Sequence, residues 1–468
     1  MRTPEEIEAR VKVFAPLGPI LDSEFSALLS RLLFLLREYG ISKVKPDVNN
    51  QENHLEFAKY VHEGWKIAHS EIAEKIVFYL GEIDKLEEQK KSNHKKKNAK
   101  EKQDCIKQIE ILHARIKILR RFYDSIVWMF LFGEHSSIRR FVSAKGKDNL
   151  SPGTIAEAEE YLQHANADSN TIAICSDITT FIHSGDVLQF NIKSGLSLIE
   201  LKRGEKNKQL AEAAEFSVAS GCPHFVELFS QDLNSKEKKQ FERVIKQLDI
   251  AKKIVTVIKE GKGKDINSDA TISTPEVNIP PRFYTDTIVN LYQQLNKEKS
   301  WAIATIDNCL HIGVYSDRKM AMVGFNAWMD GEKCTDKVYN ILHFIKDPLV
   351  RPLPYFDLPT ELLNKIIHDE IIVAICLDIP HFIEESNKLH PGLLSLMSKK
   401  DSREILSGWH QPLHHHGQIV QYQHNDIEGW LGSGLLSRII YDFQKPLSVI
   451  EFHYQSIVDE AYSELNDR

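Results

Sequence analysis

Asp186, Glu200 and Lys202 are the side chains whose types and spacing best suit chemistry on a charged substrate. They fall within residues 183–203, HSGDVLQFNIKSGLSLIELKR, a stretch that reads as a β-hairpin. From Asp186 to Ile192 the apolar Leu188, Phe190 and Ile192 alternate with Val187, Gln189 and Asn191, the period of a strand. Lys193-Ser194-Gly195 supplies a turn, and Leu196 to Lys202, short and rich in branched residues, supplies a second, buried strand. Glu200 and Lys202 then share one face while Ile199 and Leu201 occupy the other. Charge on an apolar hairpin is costly unless it is paired or holds a cation. Asp186 and Glu200, from neighbouring strands, would hold a hard cation, Mg²⁺ or Mn²⁺, and the Leu201 carbonyl would add an oxygen ligand. Lys202 would orient or help deprotonate an attacking water and stabilise charge on a phosphate. The competing expectation is a surface hairpin with one ion pair worth at most about 1 kcal/mol.

Asp186, thirteen intervening residues and then Glu200-Leu201-Lys202 resemble the PD-(D/E)xK nuclease superfamily, over about residues 125–315. The resemblance implies an α/β, restriction-endonuclease-like fold, a mixed central sheet flanked by helices in the order helix, three strands, helix, strand. It also implies that Asp186 and Glu200 ligate the metal and that Lys202 assists phosphodiester hydrolysis. Gly185 stands where the family's name-giving proline would be. The first helix of that fold often contributes a carboxylate, which points to Glu134; a surface pair with Arg139 or Arg140 is the simpler expectation for it. Several families of the superfamily set a helix rich in Gln and Arg beside the site. Gln240, Arg243 and Gln247 share a helix face by their i, i+3, i+7 spacing, so Arg203, Arg243 and Gln247 are the expected phosphate contacts.

The elements that must position these residues follow from periodicity. Residues 55–132 carry helical spacing, Ile72, Ile76, Leu80, Ile83 and Leu86 before a Lys-rich interruption at 90–104 and Ile106, Ile109, Ile116, Leu119 and Tyr123 after it. This reads as a long antiparallel helical hairpin with a basic tip, either a solvated loop or a contact for DNA backbone or a partner. Residues 124–141 read as a buried helix leading to the site, and 171–181 as the first strand, where Asp177 rivals Asp186 as a ligand and His183 lies close by. Helices are expected at 209–220 and 236–259, a loop at 261–281, and paired strands at 301–315 that would finish the sheet. The expected domains are a helical region to residue 123, a nuclease-like core over 124–320 and a C-terminal α+β region over 321–468, with strands at 371–378, 418–422 and 447–454. The run Trp409-His410-Gln411-Pro412-Leu413-His414-His415-His416 would bind zinc or copper only with supporting ligands from elsewhere.

A chain of 468 residues with 42% hydrophobic content can bury sizeable cores. Its six cysteines are scattered with no CxxC pair, and its first residues are charged, so a cytoplasmic protein with reduced thiols and no membrane span is expected. A net charge of −7 requires that basic character be segregated if nucleic acid is the partner. The expected function is a Mg²⁺-dependent endonuclease acting on DNA, suited to anti-phage or anti-plasmid defence with an activating protein partner, and a homodimer because cutting both strands needs two sites. The alternative is a catalytically silent nuclease-like scaffold serving as a sensor or binding module.

Overall fold

Helical periodicity governs the first large feature of the structure. In the computed structural model, which describes residues 13–14, 17–47, 49–95, 98–142, 150–201, 205–267, 270–273, 279–408, 411–425 and 427–466, two long helices follow one another, α1 (Gln51–Lys95) and α2 (Ala99–Phe130). α1 buries Ala68, Ile72, Ile76, Tyr79 and Ile83, at steps of three and four, against Ile109, Ile116, Leu119, Tyr123 and Ile126 of α2. This is the expected helical hairpin, and Asn98 caps the start of α2 by accepting the Glu101 N–H.

The chain divides into two units, Arg31–Thr274, and Met1–Ser30 together with Pro275–Arg468. In the first unit, α3 (Pro152–Ala167) starts in a capping box between Ser151 and Thr154 and packs on β1 (Thr171–Cys175), every residue of which is buried. β1 pairs with β2 (Val187–Asn191) and β2 with β3 (Gly195–Ile199), an antiparallel meander in the order β1-β2-β3. The first strand is shorter than its β-branched composition suggests, because Ser176–Ile178 turn as a 3₁₀ helix. Arg120 holds that turn by donating to the carbonyls of Asp177, Ile178 and Thr179. After the hairpin come α4 (Glu205–Ser220), α5 (Pro223–Gln231) and α6 (Ser235–Glu260), the last started by an Asn234/Glu237 capping box and stopped by Gly261 at φ +67°. A small ribbon of β4 (Lys262–Lys264) and β5 (Thr271–Ser273) follows. Helix, three strands, helix is thus the local order around the hairpin.

The second unit has its own sheet. β6 (Trp301–Ile306) and β7 (Leu310–Tyr315) pair as expected but do not extend the hairpin's sheet; with β8 (Val338–Asn340) and β9 (Ile372–Leu377) they form the order β6-β7-β9-β8. Long-range pairing of β7 with the fully buried β9 decides the matter, and hydropathy alone cannot reveal that choice of partner. A further sheet joins β10 (Leu394–Leu396), β11 (His414–His415), β12 (Gln418–His424) and β13 (Ile427–Trp430). Every ladder among the described residues is antiparallel, so the expected mixed sheet is not formed there; the architecture is α/β with several small antiparallel sheets. Residues 447–454, expected as a strand, lie in the helix Pro446–Asn466. Pro446, Ser448, Val449, Ile450 and Ile457 are buried, and proline at the first position suits a helix start, so tertiary packing overrides the strand preference of the branched residues. No helix among the described residues is long and apolar enough to cross a membrane.

Candidate functional site

The hairpin brings Asp186 and Glu200 together. Val187 pairs with Ile199 as the last rung of the β2–β3 ladder, which makes Asp186 and Glu200 the next positions on their strands. Asp186 donates its N–H to the Ile199 carbonyl at 2.8 Å, and its Oδ2 accepts the Leu201 N–H at 2.7 Å. Asp186 therefore straddles Glu200, bonded to the residue before it and the residue after it. Its own carbonyl accepts the Ser176 N–H at 2.9 Å, so β1 fixes it from the other side. Asp186, Glu200 and Leu201 are all half-buried.

Gly185 explains the missing proline. Its φ is +76°, a conformation closed to proline, whose ring fixes φ near −65°. A Cβ there would also lie 3.2 Å from Leu198 Cδ2 and 3.4 Å from the Ile199 carbonyl oxygen. The chain needs glycine to swing Asp186 over β3.

The donor set fits a hard cation. Carboxylate and carbonyl oxygens are the donors that Mg²⁺ and Mn²⁺ prefer. With Oδ2 engaged by Leu201, the Asp186 carboxylate keeps lone pairs for coordination. The Leu201 carbonyl, the third expected ligand, belongs to the residue whose N–H Asp186 already grips. Lys202 and Arg203 lie outside the described residues.

A deeply buried network supports the site from α2. Arg121 donates to Asp124 at 2.5 Å with both side chains fully buried, and Asp124 accepts the N–H and hydroxyl of Thr180 at 2.8 and 2.5 Å. Burial pushes the Asp124 carboxyl above the usual range, against the pull of Arg121 and Thr180. Beside it the Tyr123 hydroxyl accepts the Cys175 N–H at 2.9 Å and pairs with His69 Nδ1 at 2.5 Å, tying the end of β1 to both long helices. Asp177, the rival ligand, belongs to the 3₁₀ turn that Arg120 holds by its carbonyls. His183 gives its N–H to the Phe141 carbonyl at 3.4 Å. Glu134 is exposed at the start of the short helix His135–Arg140, and Arg140 pairs with Asp265 at 3.3 Å.

α6 packs along β3, and between them and α4 runs a groove of about 430 Å³. The part of α6 that lines it extends from Leu248 to Lys259. Arg243 therefore sits exposed more than a turn before the groove, while Gln247 lies at its edge, half-buried, with its Oε1 buried and without a hydrogen-bond partner among the described residues. The cations that line the groove are Lys252 and Lys259, which sequence reasoning missed. Their signal was present: they are seven residues apart, on the face shared with Leu248 and Val255. Comparison of the chain with protein families, curated proteins and solved structures finds no match.

Proposed function

We propose that the unit Arg31–Thr274 is a metal-dependent nuclease that hydrolyses phosphodiester bonds in DNA, with Asp186, Glu200 and the Leu201 carbonyl holding Mg²⁺ or Mn²⁺. The observation that carries this reading is Asp186 straddling Glu200 through its bonds to Ile199 and Leu201. Those bonds support the reading because they tie Asp186 to the residues on either side of Glu200, and Lys202 follows Leu201 in sequence. A divalent cation held there would supply Lewis-acid charge to the phosphate and to a water. Lys202 would orient that water or take its proton, and its charge would offset charge developing on the phosphate. Lys252 and Lys259, which line the groove beside β3, hold flanking phosphates. Arg203, Arg243 and Gln247 remain proposed phosphate contacts, Arg203 from outside the described residues and Arg243 from beyond the groove. Such an activity would serve defence against phage or plasmid DNA.

The test is incubation of wild type, Glu200→Ala and Lys202→Ala with supercoiled plasmid and single-stranded DNA, in Mg²⁺, Mn²⁺ or EDTA. The expected result is cleavage by wild type in metal only, and a loss on the order of 10²-fold or more in both variants. Equal cleavage by the variants would remove the hairpin from the chemistry. Wild type that neither cleaves nor binds Mn²⁺ would leave the unit as a scaffold.

A further inference from the structure

The second unit contains a group of side chains with a different donor chemistry. β9 leaves its sheet at Asp378, which caps the helix α7 (Ile379–Leu389) by accepting the His381 N–H at 3.0 Å and pairs with His381 Nδ1 at 3.0 Å. Because β8 pairs with β9, the residues just before β8 come to the same end of the sheet. Asp336 there accepts the Ile379 N–H at 2.9 Å on Oδ2 and pairs with His415 Nδ1 at 2.8 Å on Oδ1. Cys334 is buried with its Sγ 3.6 Å from Cys376 Sγ. The Cys334 sulfur and carboxylate oxygens of Asp336 and Asp378 all lie within 4.8 Å of one another.

Two further observations point to a ligand. His311, across the ladder from Cys376, is 4% exposed; its Nδ1 pairs with Thr305 at 3.2 Å, and its Nε2 has no hydrogen-bond partner among the described residues. Its ladder partner Cys376 has its sulfur 3.6 Å from that of Cys334, so the ring belongs to the same neighbourhood, and a buried nitrogen without a protein partner among the described residues asks for another kind. A cavity of about 620 Å³ also reaches Asp336, with Lys337, Ile379 and His414 in its wall. Asp378 is buried and Asp336 half-buried, each held in place by a histidine and a backbone N–H, and a thiol with two such carboxylates at this separation is a donor set that a divalent cation can bridge.

We propose that Cys334, Asp336 and Asp378 bind one Zn²⁺ or similar borderline transition metal, with a fourth position facing the cavity and His415 orienting Asp336 from β11. The sulfur donor selects this class over Mg²⁺, and three protein ligands with one open position is the arrangement of a reactive site. The histidine run at 414–416 then serves as the supporting shell: His415 on Asp336, and His416 on Thr335 at 2.7 Å. The site is independent of the nuclease reading and stands or falls without it.

The test is a Co²⁺ titration of the full chain followed by near-ultraviolet absorption, where thiolate bonded to cobalt gives a charge-transfer band that carboxylates do not. The expected result is a band saturating at one equivalent, abolished in Cys334→Ser, retained in Cys376→Ser and in Glu200→Ala, and competed away by Zn²⁺. Asp378→Asn keeps the helix cap while removing the charge, so it should fold as wild type by circular dichroism and bind at least about 10-fold more weakly. His415→Ala should weaken binding about 10- to 100-fold. Absence of the band in the folded wild type, its persistence in Cys334→Ser, or unchanged affinity in Asp378→Asn would each overturn the proposal.

Discussion

At the scale of single residues, the Arg121–Asp124 pair supports the turn that leads into the hairpin. Both groups are fully buried, so removing one strips the other of its opposite charge in a dry interior. Asp124→Ala should cost about 3–5 kcal/mol, read as a lower urea midpoint, and also release the N–H and hydroxyl of Thr180. The double variant Arg121→Met/Asp124→Leu should recover most of that loss; a double variant as unstable as Asp124→Ala would show that the turn needs the charges themselves. Asp186 and Glu200 could be paired from sequence because one hairpin holds both, and local register decides which residues meet. Cys334, Asp336 and Asp378 could not, since the pairing of β8 with β9 brings them together from positions about 40 residues apart. His415 arrives from still farther along the chain, and only the histidine run hinted that supporting ligands should be sought.

At the scale of elements, the long helices carry an acid sensitivity. His62 and His69 are buried on α1, and burial holds both imidazoles down at about 4, the charge of Lys66 adding to the effect at His62. The unfolded chain takes up these protons near pH 6.5, so the neutral imidazoles' contribution is complete above that value and is lost as pH falls through about 4. Each unit of depression corresponds to about 1.4 kcal/mol. The helical circular-dichroism signal should therefore melt at lower urea at pH 5 than at pH 7. His62→Phe should reduce that difference by about half, His69 supplying the rest, without loss at pH 7, because His62 Nδ1 is buried without a hydrogen-bond partner among the described residues. Equal midpoints at both pH values would show that the imidazoles charge without cost. The two helices were legible from their apolar spacing, which is repeated over many turns. Residues 447–454 misled because a short apolar window with branched residues does not separate strand from helix by its period.

At the scale of the whole molecule, the division at 30/31 and 274/275 cuts across the expected boundaries at 123/124 and 320/321. It puts the helical arm with the hairpin and β6–β7 with β9, pairings that depend on contacts far apart in sequence. The net charge of −7 is unevenly spread: Lys90, Lys91, Lys100 and Lys102 gather near the far end of the arm, and Lys252 and Lys259 line the groove along β3. The arm also sets a distance. His69, which pairs with Tyr123 beside Cys175, marks where α1 passes the Asp186 end of β1, and Lys91 lies 22 residues farther along the same helix. At about 1.5 Å per residue that is about 33 Å, or about 10 base pairs of duplex at about 3.4 Å each. If the unit cuts DNA, the arm acts as a ruler: cleavage at the hairpin and backbone contact at the lysine tip would fall about one helical turn apart. Trimming a duplex below that length should weaken binding and flatten its salt dependence while leaving the bond at the hairpin within reach. A footprint that does not shorten when Lys90, Lys91, Lys100 and Lys102 are replaced by glutamine would mean that the tip touches no DNA.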